Sequence, residues 1–179
     1  YMLFVETVDG QQFESGYEPY ILPTEIEEIG YKYATDQTSE LGESSEGYSF
    51  NVTTTGDGAE SSYYRWELDH TYRYKVSLHA DFIWTGARLI DTTNYHLVYC
   101  YMDDYVRGIY VGSTSGLTEN RIVEEPLHFV SQYGDMLQIE YSLHTYQFRI
   151  SQGAFQFWYD LRTLLYETGG LYETQPFRI

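Results

Sequence analysis

The chain has 179 residues, with 27 acidic against 10 basic side chains and a formal net charge of −17. So acidic a surface excludes binding to the phosphate backbone of nucleic acid and charge-driven docking on an anionic membrane. Apolar residues make up 42% and aromatics 18%, enough for one packed core, and the single cysteine, Cys100, excludes an intrachain disulfide.

Tyrosine is abundant, at 21 residues. Its apolar body and polar tip suit half-buried strands and binding surfaces alike. No run approaches the ~20 apolar residues of a membrane span, and no signal-peptide pattern is present. The chain opens directly on strand-like Tyr1-Met2-Leu3-Phe4-Val5 and closes on Pro176-Phe177-Arg178-Ile179 without a polar tail. The expectation is a single β-rich domain over residues 1–179, an interior piece of a longer protein truncated at both ends.

Alternation dominates the chain from there on. Ile29, Tyr31 and Tyr33 share one parity, as do Tyr48, Phe50 and Val52. Residues 36–47 between them read as a surface loop, and Thr55-Gly56-Asp57-Gly58 as a hairpin turn. Tyr64, Trp66, Leu68, Tyr72, Tyr74, Val76 and Leu78 form the longest apolar file, with a charged file beside it. His70 interrupts that file, so a bend is expected near Asp69-His70, with a partly buried, hydrogen-bonded histidine.

Residues 97–102 and Ile109-Tyr110-Val111 read as central strands covered on both faces, which makes Cys100 a buried, inert thiol. Residues 112–119 are another loop. Leu137, Ile139, Tyr141 and Leu143 alternate, but Tyr146, Phe148 and Ile150 take the opposite parity. This predicts a β-bulge at His144-Thr145 or a strand crossing between packing surfaces. Ala154, Phe157, Trp158, Leu161, Leu164 and Leu165 have helical spacing, after Ser151 as a cap and before Gly169-Gly170 as a stop. The fold class is mainly β: an antiparallel β-sandwich or partly open barrel, with one amphipathic helix near the C-terminal end.

No catalytic, cofactor or metal site is predicted. HExxH is absent and the five histidines (His70, His79, His96, His128, His144) are scattered. Gly112-Ser113-Thr114-Ser115-Gly116 places Thr where a hydrolase elbow needs Ser, and reads as a flexible turn. Asp103-Asp104 fits a solvated hairpin end better than a calcium site. Asn51-Val52-Thr53 is an N-glycosylation sequon, meaningful only in a eukaryotic secretory context. Phe82-Ile83-Trp84 lies between polar segments, and Phe82 and Trp84 are the candidate ligand or partner contacts.

The ordered set of motifs resembles one family, the domain-of-unknown-function family 4249 of Bacteroidota. It consists of Asp9-Gly10 with Phe13 and Ser15, Tyr64-Arg65-Trp66-Glu67 with Thr71-Tyr72-Arg73-Tyr74, and Cys100. Asn120-Arg121-Ile122 with Pro126-Leu127 follows, and then Tyr141-Ser142-Leu143, Gln147, Ala154, Phe157-Trp158, Gly170-Leu171-Tyr172 and Gln175-Pro176. The resemblance covers nearly the whole chain. It implies an exported outer-membrane or cell-surface lipoprotein, anchored by a lipid outside this segment, with the periplasmic face as the other placement. The implied partner is a large outer-membrane β-barrel protein, such as a TonB-dependent transporter or an assembly or secretion complex. The implied role is a non-enzymatic accessory or structural domain; the alternative is a glycan- or peptide-binding module that delivers ligand to a transporter. In such a lineage Asp91-Thr92-Thr93 matches a short O-glycosylation pattern, with Thr92 as the acceptor.

Overall fold

In chain order the strands are β1 (Phe4–Glu6), β2 (Gln12–Glu14), β3 (Ile26–Asp36), β4 (Ser45–Thr55), β5 (Tyr63–Lys75), β6 (Phe82–Trp84), β7 (Leu89–Asp91), β8 (Tyr99–Tyr105), β9 (Tyr110–Ser113), β10 (Arg121–Ser131) and β11 (Glu140–Arg149). One helix, α1 (Gln152–Tyr166), follows, and a 3-10 turn at Asp135–Leu137 precedes β11. The computed structural model describes residues 1–36, 45–58, 60–76, 82–91 and 98–166.

The alternating file of β5 decides where the core lies. Tyr64, Trp66 and Leu68 point to one face and are almost wholly buried. Opposite them sit Val52 of β4 and Ile122 and Leu127 of β10, with Ile26, Val106, Tyr110 and Leu143 packed around. Each such buried large apolar side chain contributes roughly 1.5–3 kcal/mol over its exposed state. The two walls are antiparallel sheets: one in the order β10-β4-β3, the other β11-β5-β8 with β9 also paired to β5. The fold is therefore an open β-sandwich, not a closed barrel. Two further ribbons, β1-β2 and β6-β7, are each two strands wide.

Several expectations are corrected. β5 runs through Asp69-His70 without a break, and His70 stays in the buried file. What changes there is its neighbour: β9 pairs with Tyr63 to Trp66 and β8 with Asp69 to Lys75. No bulge occurs at His144-Thr145, because β11 pairs with β5 in unbroken register from Glu140↔Arg73 to Arg149↔Tyr64. Gln147, not Phe148, faces inward, and Tyr146 and Phe148 are exposed. Register shifts lie instead in β10, between Ile122 and Glu125 and between Pro126 and His128, with Glu124 at φ 51°, and at the start of β3, between Ile26 and Glu28.

β8 is an edge strand with exposed Tyr99, Tyr101, Met102 and Tyr105, so Cys100 is only half-buried. The predicted turn at Thr55–Gly58 is instead a crossover, because β4 and β5 belong to different sheets. β3 and β4 extend into the loop expected at 36–47, and its residues 37–44 lie outside the described ones.

Helix α1 lies across β5 and β9. The Ser151 hydroxyl accepts from the Ala154 N–H at 3.3 Å, which caps the first turn. Phe155 packs on Tyr63 at 5.3 Å between ring centroids, and the Arg65 guanidinium stacks on Trp158 at 4.2 Å. Phe157 and Leu165, expected on the covered stripe, are exposed, because the sheet-facing side runs through Phe155, Trp158 and Arg162. The predicted Gly169-Gly170 stop lies outside the described residues.

Two polar clamps hold the sandwich together. The Gln147 Oε1 accepts from Trp66 Nε1 at 2.8 Å. Its Nε2 donates to Thr54 Oγ1 of β4 at 3.0 Å and to the Thr24 carbonyl at 3.0 Å. The second clamp is Asn120, whose Nδ2 donates to the Gly58 and Glu60 carbonyls at 3.1 and 2.9 Å. Its Oδ1 accepts from Thr114 Oγ1 at 2.6 Å, and that hydroxyl also accepts from the Ser62 N–H at 2.7 Å. Thr114 is therefore a buried anchor, not part of a flexible turn. Gly56 is required beside it, since a Cβ there would lie 2.3 Å from Asn120 Oδ1.

Gln147→Ala leaves the buried Trp66 indole N–H unpaired and should cost about 2–3 kcal/mol. Urea unfolding should show a lower midpoint with an unchanged slope. The exposed control Gln156→Ala should stay within about 0.5 kcal/mol of the parent. An equally small shift in Gln147→Ala would mean that the clamp does not hold the sheets.

Candidate functional site

Phe82 and Trp84 lie on the β6-β7 ribbon. Its register is Phe82↔Asp91, Ile83↔Ile90 and Trp84↔Leu89. Successive residues of a strand point to opposite faces, so Phe82, Trp84 and Leu89 share one face while Ile83 and Ile90 share the other. Both faces carry exposed apolar side chains, with Asp91 beside Phe82. Phe82, Trp84 and Leu89 are 58%, 62% and 65% exposed. The connecting turn is held by its own polar groups: the Thr85 N–H and Oγ1 both donate to the Arg88 carbonyl at 3.0 Å, and Gly86 supplies φ 90°. Thr92, the candidate glycosylation acceptor, lies outside the described residues, as do His79 and His96.

Other apolar surface is open nearby in the fold's logic. Ile29, Tyr31 and Tyr33 of β3 pair with Val52, Phe50 and Tyr48, so they point to the core side of their sheet. The opposite sheet does not reach them, and Tyr31 stays 69% exposed. The rings still form an edge-to-face ladder, Tyr31–Tyr48 at 6.0 Å and Tyr33–Tyr48 at 5.6 Å. The β1-β2 ribbon repeats the pattern, with Val5 opposite Phe13 and every strand residue exposed. Sequence reading missed these surfaces because alternation reports which residues share a face, not whether anything covers it.

The three tryptophans separate. Trp66 is core, Trp158 is half-buried under Arg65, and Trp84 is exposed. Asn51 is only 5% exposed in the central strand β4, so the sequon cannot act as an acceptor in the folded chain.

Of the described histidines, His70 and His128 come together inside the sandwich, at 6.1 Å between centroids. His70 Nδ1 is 3.1 Å from the Tyr141 hydroxyl. Burial pushes His128 down to about 4, assisted by His70, and its Nε2 has no hydrogen-bond partner among the described residues. Burial raises the Tyr141 phenol well above its ordinary value, assisted by Tyr110. His128 is thus neutral packing near a phenol that keeps its proton.

A cleft of about 360 Å³ on the same sheet is lined by Asp69, His70, Thr71, Asp103, Asp104, Tyr105 and His144. Two of its three carboxylates are engaged: Asp103 accepts from Thr71 Oγ1 at 2.6 Å and Asp104 from the Tyr105 N–H at 2.8 Å. Among the described residues no group of three or more His, Cys, Asp or Glu is arranged to hold a metal ion.

The family described as "Domain of unknown function (DUF4249)" matches residues 1–179. This chain belongs to the DUF4249 family. No curated protein and no solved structure matches it. The motif residues that carried the resemblance take structural posts in this DUF4249 chain: Trp66 and Leu127 in the core, Asn120 and Gln147 in the clamps. Among the described residues no helix is long and apolar enough to cross a membrane.

His128 makes the DUF4249 fold acid-sensitive. Its folded pKa, about 4, lies below the ordinary imidazole value of 6.5. The unfolded chain therefore binds more protons between these values, and stability falls as pH drops through that window. The loss should reach roughly 2 kcal/mol at pH 5 relative to pH 7. Urea midpoints at the two pH values check it. His128→Leu should flatten the decline, and an unchanged pH slope in that variant would assign it to other groups.

Proposed function

We propose that this DUF4249 chain is a non-enzymatic accessory domain of a Bacteroidota outer-membrane or cell-surface complex. In this reading a lipid anchor outside residues 1–179 holds it at the membrane, and it docks on a large β-barrel protein such as a TonB-dependent transporter. The membrane placement rests on the family resemblance. The docking rests on one observation, the β6-β7 ribbon with apolar side chains exposed on both faces.

A two-stranded ribbon is marginal in water by itself. Burying Phe82, Trp84 and Leu89 against a partner removes that apolar surface from water, and aromatic side chains are the usual anchors of such contacts. The high negative charge favours solubility of the rest of the surface, so association is directed to open apolar elements such as this ribbon.

Trp84 also favours the second reading, a glycan- or peptide-binding module, because an exposed indole is a stacking platform. A ligand site also needs convergent polar groups. On this ribbon the Thr85 hydroxyl is spent on the turn itself.

Extraction of the full-length protein from its native membrane in mild detergent tests the docking. The domain should co-migrate with a large β-barrel chain, and Phe82→Ala/Trp84→Ala should weaken that association about 30-fold or more, as expected for hot-spot aromatics. A protein that runs as a lone monomer defeats the proposal. Undiminished association in the double variant defeats the ribbon as its docking element.

A further inference from the structure

A second cavity, of about 300 Å³, opens where the end of β11 meets the start of α1. Tyr1, Pro19, Tyr20 and Pro23 form one wall, and Phe148, Arg149, Ile150, Ser151 and Ala154 the other. We infer that this cavity binds a small organic anion, a single carboxylate or phosphoryl group carried on a flat apolar body.

Three features carry the inference. The volume is at the lower end of small-molecule sites, and the walls are aromatic, proline and aliphatic, as such sites are. Among the eleven lining residues none is acidic, in a chain with 27 acidic residues. Arg149 carries the one charged side chain in the lining. It is half-buried and has no ion pair or side-chain hydrogen bond to any described residue, unlike Arg65 with Glu67 and Arg121 with Glu27. A guanidinium held in an apolar recess without a carboxylate is a ready donor to an anionic ligand.

The start of α1 adds to this. Its first turn carries no acidic side chain, so the positive end of the helix is not offset from within. The Ser151 oxygen accepts from the Ala154 N–H, which leaves its hydroxyl proton to donate. The net charge of the chain opposes anions only at long range, since salt screens exposed charges beyond ~8 Å at physiological ionic strength. This site uses none of the β6-β7 residues, and its failure would not bear on docking.

Calorimetry and amide chemical-shift titration of the full chain test it, with phenyl phosphate and benzoate as probes, and benzyl alcohol and inorganic phosphate as comparisons. The two aromatic anions should bind saturably at about millimolar or below, at least tenfold tighter than either comparison. Arg149→Gln should weaken them at least tenfold, and Arg149→Lys should retain most of the binding. Gly153→Glu supplies an independent readout. No atom lies within 4 Å of a Cβ placed there, and an acidic first turn favours the helix. That variant should melt no lower than the parent yet bind the anions more weakly. Equal binding of benzyl alcohol, unchanged affinity in Arg149→Gln, or no saturation up to about 10 mM would each overturn the assignment.

Discussion

The side-chain amide of Gln147 is the contact on which the two-sheet arrangement turns. One group joins β11 to Trp66 of β5, to Thr54 of β4 and to the backbone at Thr24. An amide offers two donors and two acceptor positions, and this one uses both ends in a region of low dielectric. Trp66 fills the centre of the core and needs a partner for its N–H, so the largest buried ring and the inter-sheet link are the same feature. Thr24 extends the link to Tyr64, whose hydroxyl accepts from Thr24 Oγ1 at 3.3 Å. Core packing and polar satisfaction are therefore not separable here.

That amide also sets what the surface of β11 presents. With Gln147 inward, Tyr146 and Phe148 must point away from the core. Phe148 becomes a wall of the cavity at the start of α1, and Arg149 arrives at its mouth. The outward aromatics of β11, the open ladder of β3 and the two ribbons share one character: apolar side chains arranged in register without a described neighbour over them. Such surfaces on a strongly acidic chain confine association to a few places and leave the remainder repelling its own kind.

The fold class and the core were largely legible in the sequence. The Tyr64-Trp66-Leu68 file, the Tyr48-Phe50-Val52 file and the Ser151-capped helix all stand where period-two and period-3.6 spacing put them. Failure came wherever polarity and burial part company. A glutamine took an inward position in β11, so a rule that equates apolar with inward read a bulge that is not there. Residues 97–102 are apolar enough for a central strand, yet β8 is an edge, and nothing in an apolar run reports its rank in a sheet. The Glu124 bulge has no local signature beyond Pro126 two residues on. The ribbon at Phe82 and Trp84 was singled out because its neighbours are polar, whereas Arg149 was not, because a charged residue at a strand end is unremarkable until its partners are known.

The two edges of the β10-β4-β3 sheet differ in a way that reaches beyond one molecule. β10 carries Pro126, which has no N–H to offer, and two register shifts, whereas β3 runs with a single shift near its start. Head-to-tail stacking of copies would require the β3 of one to pair with the β10 of the next. The broken β10 ladder refuses that pairing. Two copies can meet β3 to β3 about a two-fold axis, but within this sheet the product has only β10 edges left and stops there. The irregular strand thus acts as a chain terminator for this sheet, whose open aromatic face would otherwise be repeated from copy to copy.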